Sequence, residues 1–466
     1  MRSLILTLLA IAFCDYGSAF TNVYPKLKSY PVREGEDVGD PLFLTPLIES
    51  GKIDEARQKA SVQHKEMADV DSYAGYFTVN KQYNSNLFFW FFPAKINPEN
   101  APVVLWLQGG PGATSLYGLF TENGPFIVTE KQTLKFRKYS WNINHNVIYI
   151  DNPVGTGYSF TENEAGYATN ETDVGRDMHE ALVQFFSIFP ELRENEFYVT
   201  GESYAGKYVP AVSHAIKDYN VKAKIKINLQ GLAIGDGWTD PINQINYGDY
   251  LYQIGLIDFN AREQFTVMES KAKDLIKQGK YLEAGEVLDN LIDGDFGSKS
   301  LFQNLTGYNF YFNYLHIKDS NDSDLFAQFV QRPDIRKALH VGNRPFNTET
   351  NKVEKYLRAD TTKSAAYIVE DLIKNYRILI YNGQLDIICA YPMTVNYLRN
   401  LDWPGAEKYK TAERKHWWVG NELAGYTKSV DNLTEVLVRN AGHMVPGDQP
   451  MWAWVMITHF THRKHL

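Results

Sequence analysis

The segment Gly201-Glu202-Ser203-Tyr204-Ala205-Gly206 constrains the fold of this 466-residue chain more than any other. It follows Glu196-Phe197-Tyr198-Val199-Thr200, whose aromatic and β-branched residues predict a strand. Beyond it, Lys207-Tyr208-Val209-Pro210-Ala211-Val212 predicts the start of a helix. A strand that turns sharply into a helix with a serine at the apex projects the Ser203 Oγ away from the backbone. The N–H groups that follow then point at whatever that oxygen attacks. The plain alternative is one more glycine turn, since the pattern is short and its second glycine falls one position late. Ala205 stands in the usual glycine place and is still small enough for a tight strand–helix crossing.

A nucleophilic serine needs a base, and the base needs an orienting carboxylate. On a strand–turn–helix elbow the three follow in the order Ser, Asp, His, each on a loop after a strand. Downstream, Arg377-Ile378-Leu379-Ile380-Tyr381-Asn382-Gly383-Gln384-Leu385 leads into Asp386. Later, Glu435-Val436-Leu437-Val438-Arg439-Asn440-Ala441-Gly442 leads into His443. Each reads as a buried strand, a small-residue turn and a functional side chain. Of the eleven histidines, His443 has this setting near the C-terminus. His459, His462 and His465 have helix-like spacing that suggests a metal, but a frayed terminal helix accounts for them better.

Two more glycine stretches follow strand-like runs. Gln108-Gly109-Gly110-Pro111-Gly112 comes after 103–107, and its backbone amides can supply an oxyanion hole opposite the elbow. A nucleotide-binding loop is the competing reading, but no Gly-Lys-Ser/Thr follows and the dinucleotide spacing is missing. Asp151-Asn152-Pro153-Val154-Gly155-Thr156-Gly157-Tyr158-Ser159 reads as a structural turn on the same sheet edge.

Strand-like runs at 74–79, 87–92, 103–107, 147–150, 197–200, 225–234, 378–381 and 436–439 alternate with helical patterns. One such helix is 173–189, with Thr172 as its N-cap. This alternation predicts a mostly parallel sheet with right-handed crossovers. Residues 20–70 read as a polar extension with one helix near 48–62. Residues 237–360 are richer in charge and helical pattern, including 258–277, and read as a helical cap inserted over the serine. The core then comprises 20–236, which includes the extension, and 361–466.

Taken together, Leu105–Gly112, Glu122-Asn123-Gly124-Pro125, 151–159, 201–206, Asp386 and Ala441-Gly442-His443-Met444-Val445-Pro446 resemble the serine carboxypeptidases. The likeness runs from about residue 70 to the end. Gln108 and the scarcity of cysteine look most like the vitellogenic-like and venom branch. The resemblance implies an α/β-hydrolase fold with a helical cap. It implies Ser203 as nucleophile, His443 as base and Asp386 as its orienter, with the N–H groups of Gly110 and Tyr204 forming the oxyanion hole. It also implies a clamp for the substrate's terminal carboxylate from Gln108, Gly109 and Glu202. Glu122 would share a proton with Glu202, and Met444 would stand beside the leaving amino acid. Gln108 replaces the usual Asn, and Gly112-Ala113-Thr114-Ser115 departs from the common Gly-Gly-Ser-Ser run.

Two carboxyls in contact cannot both ionise cheaply, so exopeptidase action is expected to be best at acidic pH. The expected substrates are peptide or protein C-termini, no cofactor or metal is required, and a homodimer is left open. An esterase or acyltransferase on the same scaffold is one alternative. A catalytically inactive binding or storage homologue is another. The absence of His-x-x-Glu and His-Glu-x-x-His disfavours a metallocarboxypeptidase.

The amino-terminal run 4–13 is apolar, follows Arg2 and precedes Gly17-Ser18-Ala19, which predicts a signal peptide over 1–19. That run is too short to span a bilayer, so the expected product is secreted or lumenal, in a vesicular or lysosomal compartment. Cys389 is then left unpaired, since Cys14 lies in the leader. Asn170, Asn304, Asn321 and Asn432 head N-x-S/T triplets and are candidate glycan sites. A net charge of −8 and the lack of a basic stripe argue against nucleic acid.

Overall fold

The computed structural model describes residues 27–294, 299–318, 323–347 and 350–466. The predicted signal segment and Asn321 lie outside the described residues.

Ten strands form one sheet. In chain order they are β1 (Tyr73–Asn80), β2 (Ser85–Phe92), β3 (Val103–Leu107), β6 (Asn146–Ile150), β7 (Phe197–Glu202), β8 (Leu229–Gly235), β9 (Arg377–Gly383), β10 (Lys415–Val419), β11 (Glu422–Val430) and β12 (Leu433–Val438). A separate hairpin of β4 (Phe126–Val128) and β5 (Leu134–Phe136) lies outside that sheet. The spatial order is β1-β2-β6-β3-β7-β8-β9-β12-β11-β10. The six strands from β6 to β12 pair in parallel, and both margins are antiparallel. This is the mostly parallel sheet of an α/β-hydrolase. Its central strands are apolar on both faces because helices cover both, as β3 (VVLWL) illustrates with every residue buried.

The parallel strands deliver all their carboxyl ends to one edge. Because β3, β7, β8, β9 and β12 are consecutive neighbours, the loops after them meet there. Between β8 and β9 the described residues contain helices and no strand. One stretch of that segment, 311–314, reaches back to the same edge. Tyr311 O accepts from Ile387 N and Ile388 N, Phe312 O accepts from His443 N at 2.7 Å, and Tyr314 N donates to Leu385 O.

Four local readings differ from the sequence expectation. The helix expected at 48–62 is two, Thr45–Glu49 and Ile53–Ala60, separated by a turn through Gly51 at φ +73°. The helix expected from 173 is Glu171–Ile188. Its N-cap is Asn170, whose side chain accepts from Asp173 N, so Thr172 is inside the first turn. The strand expected from 225 begins at Leu229. Asn220, at the end of the preceding helix, holds both the N–H and the C=O of Ile227 with its side-chain amide. Finally, β10 and β11 were not expected, because antiparallel strands at the sheet margin with polar faces lack a continuous apolar run.

Candidate active site

The elbow forms because the chain must leave β7 and enter helix Ala205–Asn220 within a few residues. Ser203 sits at the apex with φ +63°, a left-handed conformation that costs free energy for a non-glycine residue and is retained where surroundings over-determine it. Its backbone is held from both sides. Ser203 N donates to Gly235 O, and Ser203 O accepts from Gly206 N and Trp238 N at 2.8 and 2.9 Å. Pro210 removes the helical donor that would reach Gly206 O, and the Thr239 hydroxyl fills that role at 2.9 Å.

Asp386 and His443 arrive on the loops after β9 and β12, and both are fully buried. Asp386 Oδ2 accepts from His443 Nδ1 at 2.9 Å and from Cys389 N at 3.2 Å, while Oδ1 accepts from Ile388 N at 3.0 Å. The Phe312 ring stacks on the His443 imidazole, with centroids 4.8 Å apart and planes 14° from parallel. Carboxylate and aromatic face together fix the ring, and the bond from Nδ1 directs Nε2 away from Asp386.

The loop after β3 lies directly on the elbow. A Cβ at Gly109 would come within 2.4 Å of Tyr204 N and 2.8 Å of Glu202 O, so glycine is required there by close approach. Gly110 has φ +110°, and the Gly110–Pro111 peptide is cis, as is Asn152–Pro153. Asp151 anchors this loop to the turn at 151–159. Its carboxylate accepts from Thr114 Oγ1 at 2.5 Å, Ser115 N at 3.0 Å and Tyr158 N at 2.9 Å.

Gln108, Glu122 and Glu202 form a buried polar cluster beside the serine. The Gln108 amide donates to Glu202 Oε1 at 2.7 Å and to Glu122 Oε1 at 3.1 Å, and its Oε1 accepts from Trp106 Nε1 at 2.9 Å. Both amide hydrogens of Gln108 are thus engaged with the glutamates in this geometry. Burial pushes Glu122 up to about 7, against the lowering effect of its hydrogen bonds with Glu202 and Gln108. Glu122 therefore keeps its proton through the acidic range.

A cleft of about 770 Å³ opens beside His443. Its walls include Tyr117, Phe120, Phe312, Phe326, Met444 and Gly447. The aromatic members contact one another, Phe120 stacking on Phe326 and Tyr117 meeting it edge-on. The β-strand loops thus bring Ser203, Asp386, His443, Gly109, Gly110, Tyr204, Gln108, Glu122, Glu202 and Met444 to one edge. The aromatic walls had no motif in the sequence, because they come from separate segments. Asp236 was also missed, although Gly235-Asp236-Gly237 after an apolar run carries the signal that identified Asp386.

The other candidates lie elsewhere. His459 lies in the last turn of helix Pro450–Thr461, His462 caps it, and His459 Nδ1 pairs with the His465 carbonyl. Among the described residues these three do not converge on a metal-ligating group. Asn304 is exposed. Asn170 and Asn432 are half-buried, and their amides donate to Asp173 and to Ile373 O. Cys389 is free and buried. No helix among the described residues is long and apolar enough to cross a membrane.

A family model described as serine carboxypeptidase matches residues 62–463. Venom serine carboxypeptidase of Apis mellifera is 68% identical over 466 residues, covering 100% of both chains. Vitellogenic carboxypeptidase of Aedes aegypti is 49% identical, covering 98% of this chain and 99% of its own. The probable serine carboxypeptidase CPVL of Homo sapiens is 48% identical, covering 98% of this chain and 96% of its own. A crystal structure of a prohormone-processing carboxypeptidase from Saccharomyces cerevisiae superposes with a TM-score of 0.76 at 24% identity, covering 87% of this chain and 96% of that one.

Proposed function

The chain belongs to the serine carboxypeptidase family, and from that premise we propose that it releases C-terminal amino acids from peptides through a Ser203 acyl-enzyme at acidic pH. In this reading His443 takes the proton of Ser203 Oγ as that oxygen attacks the carbonyl carbon of the last peptide bond. The N–H groups of Gly110 and Tyr204 receive the developing oxyanion. His443 then passes its proton to the departing amine, the C–N bond breaks, and water hydrolyses the Ser203 ester by the same route. Asp386 keeps the imidazole in the required tautomer.

The observation that carries this reading is the Glu122–Gln108–Glu202 cluster beside the serine. A general esterase has no need of two buried glutamates there. A protonated carboxyl can donate to a substrate's terminal carboxylate, together with the Gly109 N–H, whereas an ionised pair repels it. Gln108 acts chiefly by holding the glutamates. The aromatic cleft walls favour a bulky apolar C-terminal residue. Entry to the secretory pathway through the 1–19 leader, a helical cap over 237–360, and glycans at Asn170, Asn304, Asn321 and Asn432 belong to the same proposal.

The test is covalent labelling by a fluorophosphonate together with release of amino acids from a free-acid peptide. Wild type is expected to do both, and Ser203→Ala neither, with a loss of several orders of magnitude in rate. Peptide release by Ser203→Ala at the wild-type rate would exclude Ser203, and a wild type that neither labels nor cleaves would favour the inactive binding homologue.

A further inference from the structure

Strand β8 lies between β7, which delivers Ser203, and β9, which delivers Asp386. The residue directly after β8 is Asp236, with no exposed surface and φ +44°. Its backbone N donates to Tyr381 O at 2.8 Å, and the chain around it is tied to Ser203: Gly235 O, just before, accepts from Ser203 N, and Trp238 N, two residues on, donates to Ser203 O. Its side chain points the other way. Asp236 Oδ1 accepts from Gly383 N at 2.8 Å, and one ligand-type atom each of Asp236, Asp386 and His443 lies within 4.8 Å of the other two. A second buried acid thus lies beside the Asp386–His443 pair.

We propose that Asp236 is a positioning residue, a neutral carboxylic acid that donates its proton in a hydrogen bond to the Asp386 carboxylate and so fixes Asp386 against His443. Two geometric facts support it. Asp236 Oδ1 is occupied by the Gly383 N–H donor, which leaves Oδ2 to carry the O–H. Asp386 in turn has an acceptor role toward every partner named above, so one more donor satisfies it. The titratable groups facing Asp236 are Asp386, His443, Cys389, Tyr381 and Glu122. Burial and the adjacent Asp386 carboxylate hold the Asp236 carboxyl well above the usual range, against the lowering effect of the Gly383 N–H. The left-handed backbone at this position also explains why a short Asx side chain is accommodated there. The inference rests on the triad assignment made above.

The test compares wild type, Asp236→Asn and Asp236→Ala on an amidated peptide, so that the terminal-carboxylate clamp does not contribute to the pH profile. Asp236→Ala is expected to lower kcat by about ten- to a hundredfold with little change in KM, the usual scale for removing an orienting partner. Asp236→Asn keeps the left-handed backbone and offers an N–H donor in place of the O–H, and is expected to restore most of that loss. Its acid limb of kcat, which reports protonation of His443, should coincide with that of wild type, because one neutral group replaces another. If Asp236 were ionised, removing its charge this close to His443 would move the limb down by about one pH unit or more, and the proposal would fail. Wild-type kcat in Asp236→Ala would also overturn it. The downfield proton resonance of His443 Nδ1–H gives a readout independent of turnover: it should persist in Asp236→Asn and shift or broaden in a folded Asp236→Ala. An unchanged resonance in Asp236→Ala refutes the proposal. Should the alanine variant fail to fold, the pH limb of Asp236→Asn decides. Loss of all turnover in wild type would count against the triad reading and leave the resonance to judge Asp236.

Discussion

Replacing Glu122 by Gln isolates the titration that would make this site selective for free C-termini. The folded carboxyl holds its proton up to about pH 7, whereas an exposed glutamate releases it near 4.5. Across that interval the native state binds more protons than the unfolded chain, so stability present below pH 4.5 is lost as pH rises through about 7. The gap corresponds to on the order of 3 kcal/mol for this fully buried group. For binding, the protonated fraction falls about tenfold for each pH unit above the midpoint. KM for a free-acid peptide should therefore rise about tenfold between roughly pH 5 and pH 8, while KM for the matched amide stays nearly level. In Glu122→Gln the titrating carboxyl is gone and its shape is kept. KM for the free acid should become flat across the same range, because the group that titrates there has been removed. Melting temperature should also fall less steeply with rising pH than in wild type. The assay is KM against pH for the free and amidated pair in both proteins. Parallel wild-type profiles for the two substrates would refute the clamp and leave a hydrolase indifferent to the terminal carboxylate.

Asp386→Asn should fold normally, since the site keeps its volume, and should lose on the order of ten-thousandfold in kcat because the amide favours the wrong imidazole tautomer; unchanged turnover would point to another carboxylate. Gly109→Ala should lower stability by about 1–3 kcal/mol in thermal melts, as its Cβ meets the Tyr204 N–H at 2.4 Å. The displaced elbow should also cost about a hundredfold in kcat, and a variant with wild-type kinetics would mean that the two loops do not touch. Cys389 is free and buried, so intact-mass analysis without reductant should show no disulfide, and alkylation should occur only after denaturation. Rapid labelling of the native protein would contradict its burial.

Much of the site was legible because each of its parts is a local device. A strand, a small-residue turn and a reactive side chain lie within a few residues of each other at Ser203, Asp386 and His443. The continuous apolar runs of β3 and β9 identify buried parallel strands for the same local reason. Where structure and sequence expectation differ, side-chain hydrogen bonds or strand partners that no hydrophobic pattern marks decided the outcome. Asn170 displaced Thr172 as a cap by a hydrogen bond three residues on, and Asn220 delayed β8 by capturing Ile227 from the end of a helix. The antiparallel strands β10 and β11 at the sheet margin carry charged and polar residues and are defined by their partners.

What the sequence determined by itself was the set of reactive groups and the strand ends that carry them, because turn chemistry and hydrophobic runs act over a handful of residues. What only the tertiary structure decided was adjacency. Sheet order placed β8 between the serine and aspartate strands, which set Asp236 against Asp386. Folding brought residues 108, 122 and 202 into one water-excluded cluster, where burial raises Glu122 to about 7. It also laid Phe312 over His443 from a segment 131 positions away, counted from 312 to 443. Such contacts are set by how strands are ordered and how helices close over them, and their electrostatic consequences appear only once water has been expelled.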